Sequence, residues 1–283
     1  MIGIIILFIT VVGIGNYFQN IGQKLVGGIF MFLFLILSYL AVKIFNKKIN
    51  RLNTDNYGFN FNHFGKNILL GIVLAVFIVT SFLIIANVFF EIPIEFIRLK
   101  DGFAKPLFVL IMSVAIIGIW EEVYFRGLIY NTLLINNFGF HLSAFVSSIL
   151  FSVIHWSSFD MSETSWLWYI GIVFTGYILA FIYTITKSIW SVASFHFIWN
   201  FMARLLDNQE NEIGLYEIPN YAEHSKTLDN IMVMILGLVL MVILFLTSKK
   251  TVLEKINSYI TQITTANKKY NSCRSIIFKE NDL

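Results

Sequence analysis

Residues 68–90 read ILLGIVLAVFIVTSFLIIANVFF, an apolar run broken only by Thr80, Ser81 and Asn87 and holding no charged side chain. A run of this length exceeds the ~20 residues that an α-helix needs to cross the hydrocarbon core of a bilayer. Its apolar residues recur without the polar face that a soluble helix turns to water, so lipid is its natural solvent. Working outward, seven more stretches of the same kind appear at 2–15, 25–45, 106–134, 142–156, 166–185, 188–206 and 231–247. The composition agrees: the 283 residues are 57% hydrophobic and 13% charged, with a mean hydropathy of +0.75, whereas a soluble domain is about a quarter charged. The expected fold is all-α and integral to the membrane, with about eight transmembrane helices.

Other classes fall away on charge and cysteine usage. The net charge is only +3, and no basic run interleaved with aromatics marks a nucleic-acid surface, so nucleic acid is not an expected partner. The lone Cys273 leaves no internal disulfide and no thiolate cluster for zinc. It also stands well before Leu283, so the chain is not expected to be a C-terminal prenylation substrate, and it reads as an idle thiol. The stretch at 2–15 lacks the basic flank of a signal peptide and a second apolar block follows it, so it reads as a retained helix.

Charge also orients the helices, because basic residues stay on the cytoplasmic side. Lys47, Lys48 and Arg51 follow the second stretch against Asp55 alone, and Lys249, Lys250, Lys255, Lys268, Lys269 and Arg274 follow the eighth. The late loop holds Asp207, Glu210, Glu212, Glu217, Glu223 and Asp229 against Lys226. Both termini are therefore expected in the cytoplasm and the acidic loop outside, in a multi-pass protein of the cell membrane. With no internal repeat and no linker, residues 1–250 read as a single transmembrane domain. Residues 251–283 read as a cytoplasmic tail, either a short helix on the membrane surface or disordered.

Ionisable groups inside a span cost ~2.5–3.5 kcal/mol each on insertion scales, so they mark paired interiors or function. They gather between residues 120 and 200: Glu121, Glu122 and Arg126 in the fourth stretch, His155 late in the fifth, and His196 with Asn200 in the seventh. Residues four apart share a helix face, so Glu122 meets Arg126, Phe151 lies under His155, and His196 and Asn200 point the same way. Glu121 is turned by about 100° from Glu122, which leaves one carboxylate for the arginine and the other for a cavity. At ~1.5 Å of rise per residue, Glu121 sits about 20 Å from the inner end of its helix, His155 about 20 Å into its own, and His196 and Asn200 about 12 and 18 Å into theirs. The matching depths bring all four groups to one intramembrane active-site cavity enclosed by the helices.

Blander readings bear on the rest. Either histidine alone would read better as an interhelical hydrogen bond; with Glu121 and Asn200 the set reads as a site. His63, His141 and His224 lie in loops or at helix edges and are expected to be solvated. The tryptophans suit membrane interfaces, with Trp120 and Trp199 as candidates to line a groove, and Gly27, Gly28 and Gly171 suit close helix packing.

The segments Glu121-Glu122-Val123-Tyr124-Phe125-Arg126, Phe151-Ser152-Val153-Ile154-His155 and His196-Phe197-Ile198-Trp199-Asn200 resemble the ordered motifs Glu-Glu-x-x-x-Arg, Phe-x-x-x-His and His-x-x-x-Asn of the CAAX protease and bacteriocin-processing (CPBP, Abi-like) family. The likeness spans 106–206 as a family catalytic core. It implies an intramembrane endopeptidase built on eight helices. It further implies Glu121 as general base, His155 holding or helping to deprotonate a water, His196 and Asn200 stabilising the oxyanion, and Glu122 with Arg126 bracing the site. No cofactor is required by this reading. Zinc on Glu121, His155 and His196 is the alternative, since these are ligand types of catalytic zinc, but no His-Glu-x-x-His helix is present and a metal-free mechanism is favoured.

The expected partners are the lipid bilayer and a peptide or membrane-protein substrate. Richness in Ile, Asn, Lys and Phe suggests an AT-rich bacterial genome, where a pheromone, bacteriocin leader or membrane-protein segment is a more natural substrate than a prenylated protein. Bacteriocin processing or self-immunity is the expected setting. The alternative is a noncatalytic immunity or regulatory protein that binds a peptide or sensor partner. A transporter would show related halves, and none is visible.

Overall fold

A computed structural model describes residues 33, 36, 37, 39–52, 54–96, 103–155, 166–206 and 215–280. The expected helix at 2–15, most of that at 25–45 and part of the acidic loop lie outside the described residues. A π turn at Asn46–Asn50 and a 3-10 turn at Thr54–Tyr57 lead into α1 (Phe64–Phe90), α2 (Ala104–Glu122), a π-helical segment (Val123–Tyr130), α3 (Asn131–Ile135), α4 (Gly139–Ile154), α5 (Trp166–Thr186), α6 (Ile189–Leu206), α7 (Tyr221–Thr247) and α8 (Lys250–Glu280). Two short strands, β1 (Glu95–Phe96) and β2 (Tyr216–Glu217), pair antiparallel with Glu95 opposite Glu217.

The fold is all-α and built for a membrane. Among the described residues, Phe64–Phe90, Ala104–Ile135, Trp166–Thr186 and Tyr221–Thr247 are long and apolar enough to cross one, and Gly139–Ile154 is a shorter apolar helix. On α1, Gly71, Ala75, Ile78, Val79, Phe82 and Ala86 form a buried stripe at helical spacing, while Phe77, Val88 and Phe89 are exposed. Gly71, Ala75 and Ala86 within that stripe let a neighbouring helix approach closely, while bulky apolar residues face outward, as lipid as solvent selects. That stripe packs on α6, where a Cβ added to Gly71 would run into the Ser191 carbonyl and the Ser194 hydroxyl. His196, Asn200 and Arg204 make α6 less apolar than the spanning helices, and it is flanked by α1, α2 and α5.

Three departures from the sequence reading have physical causes. The fourth stretch is not one α-helix, because after Glu122 it widens to a π-helix in which all 8 residues are buried. A π turn bonds i to i+5 and is rare outside functional sites. Here neighbouring side chains supply added donors: Ser147 Oγ to the Phe125 carbonyl at 3.1 Å, and Asn46 Nδ2 and Asn131 Nδ2 to the Gly127 carbonyl at 3.1 and 3.2 Å. Second, α7 starts at Tyr221, so Glu223, His224, Lys226 and Asp229 stand on a helix where a loop was expected. Good helix formers and an acidic Glu223 in the first turn, complementing the helix dipole, extend it past the apolar part. Third, residues 250–280 form a helix whose Ile256, Tyr259 and Ile263 are buried against the bundle.

Candidate active site

The site forms where α2, α4 and α6 meet. Glu121 and Glu122 end α2. Gly118, one turn earlier, faces α6, where an added Cβ would stand 3.3 Å from the Phe197 amide nitrogen and 3.5 Å from the Ala193 carbonyl oxygen. The absent side chain allows the two backbones to approach closely, which sets both carboxylates against His196. His155 follows the last turn of α4, its ring edge-on to Phe151 at 4.8 Å between centroids.

His196 joins the two carboxylates. Its Nδ1 lies 2.9 Å from Glu122 Oε1, and its Nε2 lies 3.5 Å from Glu121 Oε2. His155 approaches the same Glu121 oxygen from α4, with Nε2 at 3.9 Å, while its Nδ1 is held by the Phe151 carbonyl at 2.7 Å. A carbonyl or an ionised carboxylate only accepts, so each Nδ1 carries hydrogen. A neutral imidazole then has its lone pair on Nε2. Two Nε2 lone pairs and Glu121 Oε2, which has no hydrogen-bond partner among the described residues, are thus turned on one another. Three acceptors face each other favourably only around a shared proton, a water or a cation.

Glu122 is held quite differently. Arg126 Nη1 donates to Glu122 Oε1 at 2.7 Å, and Nη2 donates to the Gly176 carbonyl at 3.0 Å. The guanidinium carbon lies 4.9 Å from the centre of the Phe151 ring, a cation–π distance. Arg126 is 1% exposed and Glu122 not at all, so this is a buried ion pair made affordable by hydrogen bonds on both sides. One guanidinium faces two carboxylates, so Arg126 leaves one carboxylate charge without a cationic side chain of its own beside it.

Residues 103–202 of the sequence match the model of a family described as type II CAAX prenyl endopeptidase Rce1-like. The chain carries an Rce1-like domain. This domain takes in α2, the π segment, α3, α4, α5 and most of α6, and with them all three motifs. The match supports a CAAX-type intramembrane endopeptidase in general, and the apolar helices support a multi-pass membrane protein. No curated protein and no solved structure matches the chain.

The Rce1-like fold brings Glu121, His155 and His196 together, and pairs Glu122 with Arg126. Asn200 sits half-buried one turn beyond His196, without a hydrogen bond to these groups among the described residues. Four features were not legible beforehand: the Glu122 to His196 bond, the Gly176 carbonyl as second acceptor for Arg126, Phe151 as its aromatic cover, and Gly118 as the contact that closes α2 on α6. Only Gly118 left a signal, four residues before Glu122 on the same face. Trp120 is buried with its ring 4.8 Å from that of Tyr124, and Trp199 stacks on Phe195 at 6.0 Å. His141, expected in solvent, bonds the Tyr177 hydroxyl at 2.6 Å. An added Cβ at Gly171 would make only ordinary contacts, at 3.7 Å or more. Among the described residues no three His, Cys, Asp or Glu side chains close around one point as metal ligands.

Proposed function

We propose that the chain hydrolyses peptide bonds of a bacterial peptide or membrane-associated protein with a water activated by Glu121 and His155. The observation that carries this reading is the approach of His155 Nε2 and His196 Nε2 to one Glu121 oxygen, from two other helices, at 3.9 and 3.5 Å. With His196 carrying hydrogen on both ring nitrogens, a water between Glu121 and the His155 Nε2 lone pair is oriented by His155 and loses a proton to the Glu121 carboxylate as its oxygen attacks the scissile carbonyl carbon. The carbonyl oxygen becomes an oxyanion, which protonated His196 at Nε2 and the Asn200 amide stabilise. Glu121 then delivers its proton to the leaving amine as the C–N bond breaks, and the carboxylate is regenerated. Glu122 and Arg126 do no chemistry in this scheme; Glu122 orients His196 by accepting from Nδ1.

Zinc would use the same donors. Glu121, His155 and His196 are ligand types it takes, and Glu122 on His196 Nδ1 would be a typical outer partner. Bound there it would supply Lewis-acid activation of the water. The proposed mechanism is metal-free, on the ground that the best-attested zinc-protease signature is missing from the sequence. Cleavage that survives chelation agrees with it, whereas cleavage lost to a chelator and restored by zinc replaces it with the metal mechanism.

The setting proposed is processing of a bacteriocin or other secreted peptide, or immunity to one. The test is comparative peptidomics of cells expressing the wild type, Glu121→Ala or His155→Ala at equal levels. Peptides released by the wild type and absent from both variants support the enzyme. Identical peptidomes, with a preserved immunity phenotype, would leave the noncatalytic binding protein as the better reading.

A further inference from the structure

The C-terminal helix α8 reaches the catalytic helix through its polar side chains. Tyr259, 1% exposed, donates from its hydroxyl to Asn131 Oδ1 at 2.7 Å, and the Tyr183 hydroxyl lies 3.0 Å from it. Asn131 Nδ2 in turn lies 2.8 Å from the Tyr183 hydroxyl and 3.2 Å from the Gly127 carbonyl oxygen. A second route starts further along α8. Asn267 Nδ2 donates to the Asn50 carbonyl at 2.8 Å, Asn50 Nδ2 to Asn46 Oδ1 at 2.7 Å, and Asn46 Nδ2 to the same Gly127 carbonyl at 3.1 Å. Two routes from one helix thus converge on a single oxygen in the π segment.

That oxygen adjoins the residue that matters. Gly127 follows Arg126, whose guanidinium holds Glu122, which holds His196. A π turn is an α-helix with a residue in excess, so its reversion to α geometry would turn Glu121 and Glu122 by about 100° relative to Asn131. Side-chain donors on the Gly127 carbonyl oppose that reversion. Their own positions are fixed by Tyr259 and Asn267.

We infer that Tyr259 and Asn267 are positioning residues: through Asn131, Asn46 and the Gly127 carbonyl they hold the π segment in the register that sets Glu122 and Glu121 against His196. This rests on the reading of Glu121 and His196 as catalytic. Lys187, whose Nζ reaches Ser258 and Gln262 of α8 at 3.4 and 3.2 Å, docks the same helix without a route to Gly127, and serves as control.

The test uses the full-length protein in detergent micelles, with Tyr259→Phe, Asn267→Ala and Lys187→Ala. One readout is the ¹⁵N resonance of His196 Nδ1, assigned by its loss in His196→Gln; it reports the bond to Glu122 and needs no substrate. The other is turnover of a peptide whose release from cells requires Glu121. Tyr259→Phe and Asn267→Ala are expected to shift the His196 resonance and to lower kcat about tenfold, the order set by losing one buried hydrogen bond, with KM unchanged. Lys187→Ala is expected to do neither. An unshifted resonance in Tyr259→Phe and Asn267→Ala, or an equal shift in Lys187→Ala, overturns the inference. If Tyr259→Phe does not fold, Asn267→Ala decides alone, since Asn267 is only half-buried and its bond goes to a backbone carbonyl that the substitution leaves in place. A wild type that cleaves nothing would sink the proposed function, while the resonance still decides the positioning role.

Discussion

Glu121 and Glu122 are adjacent in sequence, yet one faces two imidazole Nε2 atoms and the other a guanidinium and an imidazole Nδ1. Substituting each by glutamine therefore separates two kinds of loss. Glu121→Gln keeps size and shape while removing the base, so it should abolish cleavage and leave the melting temperature in detergent close to wild type. Glu122→Gln leaves Arg126, 1% exposed, as a buried charge without its counterion, and breaking such a pair costs ~3–5 kcal/mol. Its melting temperature should drop markedly, and a drop no larger than that of Glu121→Gln would contradict the assignment of the ion pair. The i to i+4 rule gave the arginine to Glu122, but the hydrogen bond from α6 to that same carboxylate needs the helix pairing.

At the scale of elements, close approach at glycine sets the site. A Cβ at Gly176 would stand 2.9 Å from the Ser148 Cβ, whereas at Gly171, one turn or so earlier on α5, the nearest atom is 3.7 Å away. Gly176→Ala must push α4 from α5 and disturb the carbonyl that accepts from Arg126, at a cost of ~1–3 kcal/mol for an overpacked contact. Gly171→Ala should stay near wild type, so thermal melts of the two variants side by side check the packing. This asymmetry was not visible in the sequence, where both glycines sit in equally apolar surroundings. The apolar runs were legible because lipid demands length and composition, and α1, α5 and α6 end within a few residues of the expected limits. The π segment was not, since Val123–Tyr130 is apolar nearly throughout and presents no polar face whose shift in register could be read. Nor was the docking of α8, whose burial depends on three apolar side chains and on polar partners distant in sequence.

For the whole molecule, membrane orientation and chemistry are linked, because a site enclosed among apolar helices must receive its substrate from one side or from the bilayer. The basic residues after α7 and the acidic residues around β2 predict opposite exposures. In a Cys273→Ser background, a cysteine replacing Glu217 should react with a membrane-impermeant maleimide on intact cells, and one replacing Lys255 only after permeabilisation; the reverse pattern would invert the topology. The most direct trial of the enzyme itself is made with purified protein in micelles and one peptide substrate found by its dependence on Glu121 in cells. Wild type should cleave it with a chelator present, and Glu121→Gln, folded to the same extent, should fall to the background rate. Equal cleavage by both proteins would show that the carboxylate between the two histidines is not the base.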